Sequence, residues 1–172
     1  MKVAMAPIKT IVVLGMGRSA TSLVAKALSH EIFMGDKLLP PAPDNPHGFF
    51  ENTRFVELND AILAAAGGSW SDPPPEKDIL GQSHRFNDRI RELIREEQRE
   101  PLWGWKDPRT ALTIRLYVPH LTNPHFVCCF RDPHDVALSL RRRNGFSIEK
   151  GIALARNYNR RIIEFLSDCH LR

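Results

Sequence analysis

Residues 10–28, TIVVLGMGRSATSLVAKAL, constrain this chain more than any other stretch. Ile11, Val12, Val13 and Leu14 form an uninterrupted apolar run rich in β-branched side chains. Such a run predicts a strand buried on both faces, as in a parallel sheet. Gly15 and Gly17 end it. From Ala20 the pattern turns helical, with Leu23 and Ala27, and Val24 and Leu28, on one stripe. The turn between strand and helix carries Arg18, Ser19, Thr21 and Ser22. The first amides of a helix lack intrahelical acceptors and sit in positive potential, so such a turn is an anion site. Arginine and hydroxyl groups suit phosphate or sulfate oxygens.

Two nucleotide-binding patterns fit the turn incompletely. A nucleoside triphosphate loop needs G-x-x-x-x-G-K-[ST]. Counting from Gly15, Ala20 stands at the second glycine and Thr21 at the lysine, and only Ser22 fits. Gly15-Met16-Gly17-Arg18-Ser19-Ala20 does match the dinucleotide turn G-x-G-x-x-G/A. That reading also needs a second strand ending in an acid about 20 residues on. Residues 31–45 are broken by Gly35, Pro40, Pro41 and Pro43, which makes a poor strand.

At 172 residues the chain reads as one domain, residues 1–172, with room for a sizeable core. A net charge of +4 suits a small polyanion and is too weak to indicate nucleic acid. Cys128 and Cys129 stand in an apolar run and, with Cys169, show no metal-ligand spacing. Reduced core cysteines point to the cytoplasm. Residues 1–16 do not make a signal peptide, because Lys9 interrupts the apolar stretch and no small-residue cleavage site follows. No run approaches the ~18 apolar residues of a membrane span.

Beyond the first helix, residues 39–48 form a proline-rich loop of the kind that lies near ligands. Phe55, Leu58, Ile62 and Ala65 then recur at helical spacing up to Gly67 and Gly68. Glu51 precedes this helix beside Phe49 and Phe50. It reads either as an acid complementing the helix dipole or as a desolvated base with a raised pKa. Residues 70–77 are a second proline-rich loop. Residues 85–100 predict an amphipathic helix with Phe86, Ile90, Leu93 and Ile94 inside and a salt-bridged Arg/Asp/Glu face outside. Strands are expected at 102–106 and 125–130, each running into charged residues: Asp107-Pro108-Arg109 and Arg131-Asp132-Pro133. Open α/β sheets bind ligands at such strand ends. Helices follow at 111–117, at 135–143 with Asn144 and Gly145 as its stop, and from Ser147 as N-cap onward. The last is marked inside by Ile148, Ile152, Ala155, Ile162 and Leu166. The alternation predicts a three-layer α/β domain, a central parallel sheet flanked by helices. Only three strands are clear, and the chain stops at His170-Leu171-Arg172, where another would begin; a C-terminal truncation accounts for both.

Four segments, in order, resemble the sulfotransferase family over roughly residues 10–160. GMGRSATSL resembles the 5′-phosphosulfate loop, which in many bacterial members is close to G-M-H-R-S-G-T-S-L; this chain has Gly17 for His and Ala20 for Gly. NPHGFFE resembles N-P-x-G-Y-F-E, and WKDPR resembles the family's central strand-end segment. FRDPHDVALSL resembles the 3′-phosphate segment, with Arg131 at a strand end and Ser139 eight residues later.

The resemblance implies a P-loop-like fold and sulfuryl transfer from 3′-phosphoadenosine 5′-phosphosulfate (PAPS) to a hydroxyl or amine of a small-molecule or carbohydrate acceptor. It implies that Gly15, Gly17, Arg18, Ser19, Ala20, Thr21 and Ser22 hold the 5′-phosphosulfate, and Arg131 and Ser139 the 3′-phosphate. Arg18 would stabilise the leaving phosphate. Glu51 is the first candidate for the base and Asp107 the second, since Pro108 stands where some members carry a histidine. Lys106 and Arg109 are candidate ligand contacts or partners of Asp107. No metal is required. Three rivals remain: a degenerate kinase or NTPase, a PAPS-binding module without catalysis, and a dehydrogenase.

Overall fold

In the computed structural model, residues 7–170 are described, with the side chain of His170 excepted. Residues 171–172, at which a further strand was expected to begin, and residues 1–6 of the leader argument lie outside them. Three parallel strands form one sheet in the order β2-β1-β3: β1, Lys9–Gly15; β2, Leu102–Lys106; β3, Pro124–Cys129. The sheet is an α/β core flanked by seven helices among the described residues. β1 is central, pairing Val12 with Trp105 on one side and with Phe126 on the other. Its apolar run therefore disappears into the core, with Val12, Val13 and Leu14 fully buried. The interrupted stretch after the first helix contributes one residue to the sheet. Phe33 bridges to β2, accepting from Gly104 N at 2.9 Å and donating to Leu102 O at 3.2 Å. On the other side β3 is outermost among the described residues.

Strand alternation sorts the layers. Val12 and Leu14 point with Trp103 and Trp105 into the larger cluster, built with α2 (Thr53–Ala65), α4 (Ser83–Glu97), α5 (Thr110–Tyr117), α6 (Pro133–Asn144) and α7 (Ile148–His170). Phe55 stacks on Trp105 with ring centroids 4.3 Å apart. Ile11 points to the opposite face, where Ala25 of α1 (Thr21–Leu28) meets Ile32 and Met34. No helix among the described residues is long and apolar enough to cross a membrane.

Most expected elements form within a few residues of their sequence bounds, and the differences have causes. In α1 the inward stripe is Thr21 and Ala25, and Leu23 is 69 % exposed. A helix this short has one buried side, and the sheet claims the small residues because α1 lies close against it. The 70–77 loop runs into a short helix, α3 (Glu76–Leu80), whose single buried residue, Ile79, carries too little periodicity to register in sequence. Residues 118–120 add a 3₁₀ turn. Asn52 caps α2 by accepting from Arg54 N at 3.0 Å, and Ser147 caps α7 by accepting from Lys150 N at 3.2 Å. Cys129 is buried, Cys128 half-buried and Cys169 exposed, all as free thiols.

Candidate functional site

Because all three strands run the same way, the bend after β1 and the segments after β2 and β3 emerge at one edge of the sheet. The bend is tight for two different reasons. At Gly15 an added Cβ would lie 2.6 Å from Thr21 Cγ2 and 2.9 Å from Cys129 O, so only glycine lets helix, bend and β3 converge. At Gly17 it would meet only Pro108 Cγ at 3.9 Å, so nothing there excludes a side chain. The left-handed backbone falls instead on Arg18 (φ 72°) and Ala20 (φ 61°), each at a cost of about 1–2 kcal/mol for an L-residue. Ala20 thus stands in the conformation that the glycine of the similar loops would adopt freely.

Side chains from three strand ends meet at this bend. Arg18 Nε donates to Ser139 Oγ at 2.8 Å, and Arg131 NH1 donates to Arg18 O at 3.1 Å. The two anion clusters expected from the sequence are therefore joined on one surface. Arg18, Arg131, Arg142 and Arg143 crowd together there. Burial, and then repulsion from Arg143, Arg131 and Arg142, pull Arg18 below its ordinary pKa, with Asp44 opposing. Asp44 bridges the cluster, 2.7 Å from Arg143 Nε and 3.9 Å from Arg18 NH1. Asn45 beside it donates to Ser22 Oγ at 3.4 Å. Ser19 Oγ is buried with no hydrogen-bond partner. A buried hydroxyl without a partner beside crowded guanidinium groups fits an oxyanion ligand.

The end of β2 supplies what the loop lacks. Lys106, whose register partner is Val13, points to the α1 face and is 2 % exposed. Its three N–H groups are fully used, donating to Glu51 Oε1 at 2.6 Å, Phe49 O at 3.1 Å and Ser22 Oγ at 3.2 Å. The ammonium missing from the loop is thus brought to it from the neighbouring strand. Sequence reasoning had placed Lys106 only as a possible contact; the signal was its parity, opposite to the two tryptophans.

Glu51 and Asp107, the two candidate bases, part company. Glu51 is 7 % exposed and lies 3.8 Å from Arg109 NH1 as well as against Lys106. Burial raises its pKa, and Lys106 and Arg109 offset this only in part. It lines a cleft of about 200 Å³ together with Gly17, Arg18, Phe49, Trp70, Arg109, Arg143 and Tyr158. Asp107 follows the alternation to the other face, is 0 % exposed and does not line that cleft. It accepts from Asn59 Nδ2 and Arg109 NH1, each at 2.8 Å, and from Arg109 N at 3.2 Å. That geometry makes Asp107 an anchor for the start of α5, while Glu51 is the candidate base that faces the cleft. Burial pulls Arg109 down, but the Asp107, Asp60 and Glu51 carboxylates outweigh it and hold the guanidinium above its ordinary value.

Asp132, His134 and Asp135 lie close enough to share a cation, but all are exposed. Asp132 caps α6 by accepting from His134 N, and Asp135 lies 3.5 Å from Arg131. These contacts tie the cluster to the start of α6.

An α/β sheet whose central strand runs through a basic, hydroxyl-rich bend into a helix N-terminus is the arrangement on which phosphate-binding loops are built. The chain matches the sulfotransferase family model over residues 10–170, nearly its whole length, and it belongs to that family. Searches of curated proteins and of solved structures found no significant match.

Proposed function

We propose that this protein, as one domain over residues 1–172, transfers a sulfuryl group from PAPS to an acceptor hydroxyl or amine. The observation that carries the reading is the junction of Arg18 with Ser139 and Arg131, which sets two oxyanion clusters side by side. Ser19, Thr21, Ser22 and the α1 N-terminus hold the 5′-phosphosulfate, with Gly15, Gly17 and Ala20 shaping the bend. Arg131 and Ser139 hold the 3′-phosphate. The nucleotide supplies an activated sulfuryl group. Glu51 takes the acceptor proton, since a base with a raised pKa is better matched to that task. Arg18, Lys106 and the helix N-terminus stabilise the charge that builds on the leaving phosphate oxygen. Arg109 positions Glu51. The free thiols fit a reducing cytoplasm.

Calorimetry with adenosine 3′,5′-bisphosphate and adenosine 5′-phosphate tests the reading. Charge-assisted hydrogen bonds contribute ~1.5–3 kcal/mol each, so Arg131→Ala weakens the bisphosphate about 10- to 100-fold and leaves the monophosphate nearly unchanged. Equal affinity of the native protein for both nucleotides overturns the assignment. Binding of a nucleoside triphosphate that requires magnesium would instead favour an NTPase.

A further inference from the structure

Residues 40–47 lie against the arginine cluster without being packed into the fold, since none of them is buried. The chain on either side is tied together. Leu39 N donates to Glu51 O and Thr53 N to Lys37 O, each at 2.8 Å. The segment between is therefore a surface loop closed at its base. Its tip reaches the anion site through two side chains. Asp44 Oδ2 lies 2.7 Å from Arg143 Nε and 3.9 Å from Arg18 NH1, and Asn45 Nδ2 donates to Ser22 Oγ at 3.4 Å. Asp44 thus offsets the repulsion that Arg143, Arg131 and Arg142 exert on Arg18. Where the loop returns to Glu51, Gly48 (φ 91°) and Phe50 (φ 55°) both hold left-handed backbone. For a bulky residue such as Phe50 that conformation is strained, and strained positions cluster at switching segments.

We propose that Asp44 is an internal ligand of this site, an autoinhibitory carboxylate that an incoming phosphate or sulfate group must evict, lifting the tip of the 40–47 loop off the bend. Carboxylate and phosphate oxygens accept from guanidinium N–H groups in the same way, so the two compete for Arg143 Nε and for Arg18. The carboxylate also cancels part of the positive field that draws an anion in. Arg143 keeps its place when Asp44 leaves, because its guanidinium lies over the Phe49 ring, 5.6 Å from the centroid. The loop is easy to release, since a segment with no buried residue opens at low cost. Eviction divides the intrinsic affinity by the fraction of molecules already open. A 3- to 10-fold loss corresponds to about 70–90 % of molecules plugged, a balance within reach of one partly exposed ion pair. The inference rests on the sulfuryl-transfer reading only for the identity of the nucleotide, because any polyanion that engages Arg18 and Arg143 works the plug.

The test is calorimetry with adenosine 3′,5′-bisphosphate and with inorganic pyrophosphate on the native protein, Asp44→Asn and Asp36→Asn, paired with hydrogen exchange of the loop. Asp44→Asn keeps the shape and removes the charge. Asp36→Asn removes a charge that is paired with Arg99 instead. The bisphosphate is expected to bind Asp44→Asn about 3- to 10-fold more tightly and Asp36→Asn within about 2-fold of the native protein. The amides of Asn45 and Gly48 donate inside the loop, to Ala42 O at 2.8 Å and Asn45 O at 3.0 Å. Once the bisphosphate saturates the native protein they are expected to exchange several-fold faster. Unchanged or weaker binding to Asp44→Asn, an equal gain in Asp36→Asn, or unchanged or slower exchange at these amides overturns the inference, as does failure of both anions to bind any of the three proteins. Pyrophosphate that gains in Asp44→Asn while the bisphosphate binds none of the three overturns the donor assignment instead and leaves the plug standing.

Discussion

Lys106 offers the sharpest test of how the site is held together. Replacing it with methionine keeps the volume and removes the ammonium. In the native protein the ammonium lies 2.6 Å from Glu51 Oε1. At an effective dielectric constant of ~20 that separation gives about 6 kcal/mol of attraction, from which the cost of burying the lysine must be subtracted. Losing one partner of a buried pair leaves the other charge uncompensated, so Lys106→Met is expected to cost about 3–5 kcal/mol at pH 7. Glu51 keeps only Arg109, at 3.8 Å. The double variant Lys106→Met/Glu51→Gln carries no stranded charge and should recover most of that loss. Urea unfolding of the four proteins gives the coupling directly. The pH dependence has a definite sign. Burial raises the folded-state pKa of Glu51, so the folded protein binds this proton more tightly than the unfolded chain. Its contribution to stability is greatest at low pH and falls as pH rises through the folded value. The deficit of Lys106→Met should therefore shrink as pH falls. A loss below about 1 kcal/mol at pH 7, or a double variant as unstable as the two single losses added, refutes the reasoning.

Three other outcomes follow from the same geometry. In the general-base role proposed for it Glu51 must be ionised, so kcat/KM for the acceptor should rise with pH through a limb above the ordinary carboxylate range, and Glu51→Gln should abolish the limb along with most activity. Asp44→Ala removes the carboxylate nearest Arg143 and Arg18, so calorimetry should show adenosine 3′,5′-bisphosphate binding several-fold more tightly, with a steeper loss on adding salt. Gly15→Ala forces a methyl group to 2.6 Å from Thr21 and 2.9 Å from Cys129 O, and thermal unfolding should report about 1–3 kcal/mol of lost stability.

How much of this was visible in the sequence depended on whether the signal was local. β1 was legible because its short apolar run is β-branched at Ile11, Val12 and Val13 and stops at Gly15, which favours a buried strand over a helix, and α4 because Phe86, Ile90, Leu93 and Ile94 keep a helical period. Arg131 and Ser139 stood out through the resemblance of their segment to the sulfotransferase family, and the structure brings both to Arg18. The α1 stripe was misread because Leu23 and Val24 are the bulkier residues, whereas close approach to the sheet selects Thr21 and Ala25. Asp107 and Glu51 look alike in sequence, both acids beside aromatic or strand-end residues. What separates them is which face each side chain takes, and that emerges only when β2 is set against β1 and Asn59 is brought across from α2. Lys106 was underrated for the same reason, since its partners lie 55 and 84 residues away.

The position of β3 carries a practical consequence. As the outermost strand on its side among the described residues, it turns every second amide and carbonyl away from β1 with no strand to meet them. Such a rim is a template for any extended segment of suitable sequence, whether more of the same polypeptide or a neighbouring molecule. Concentrated samples should thus be prone to edge-to-edge association, and a lysine at the exposed His125 is the substitution best placed to discourage it.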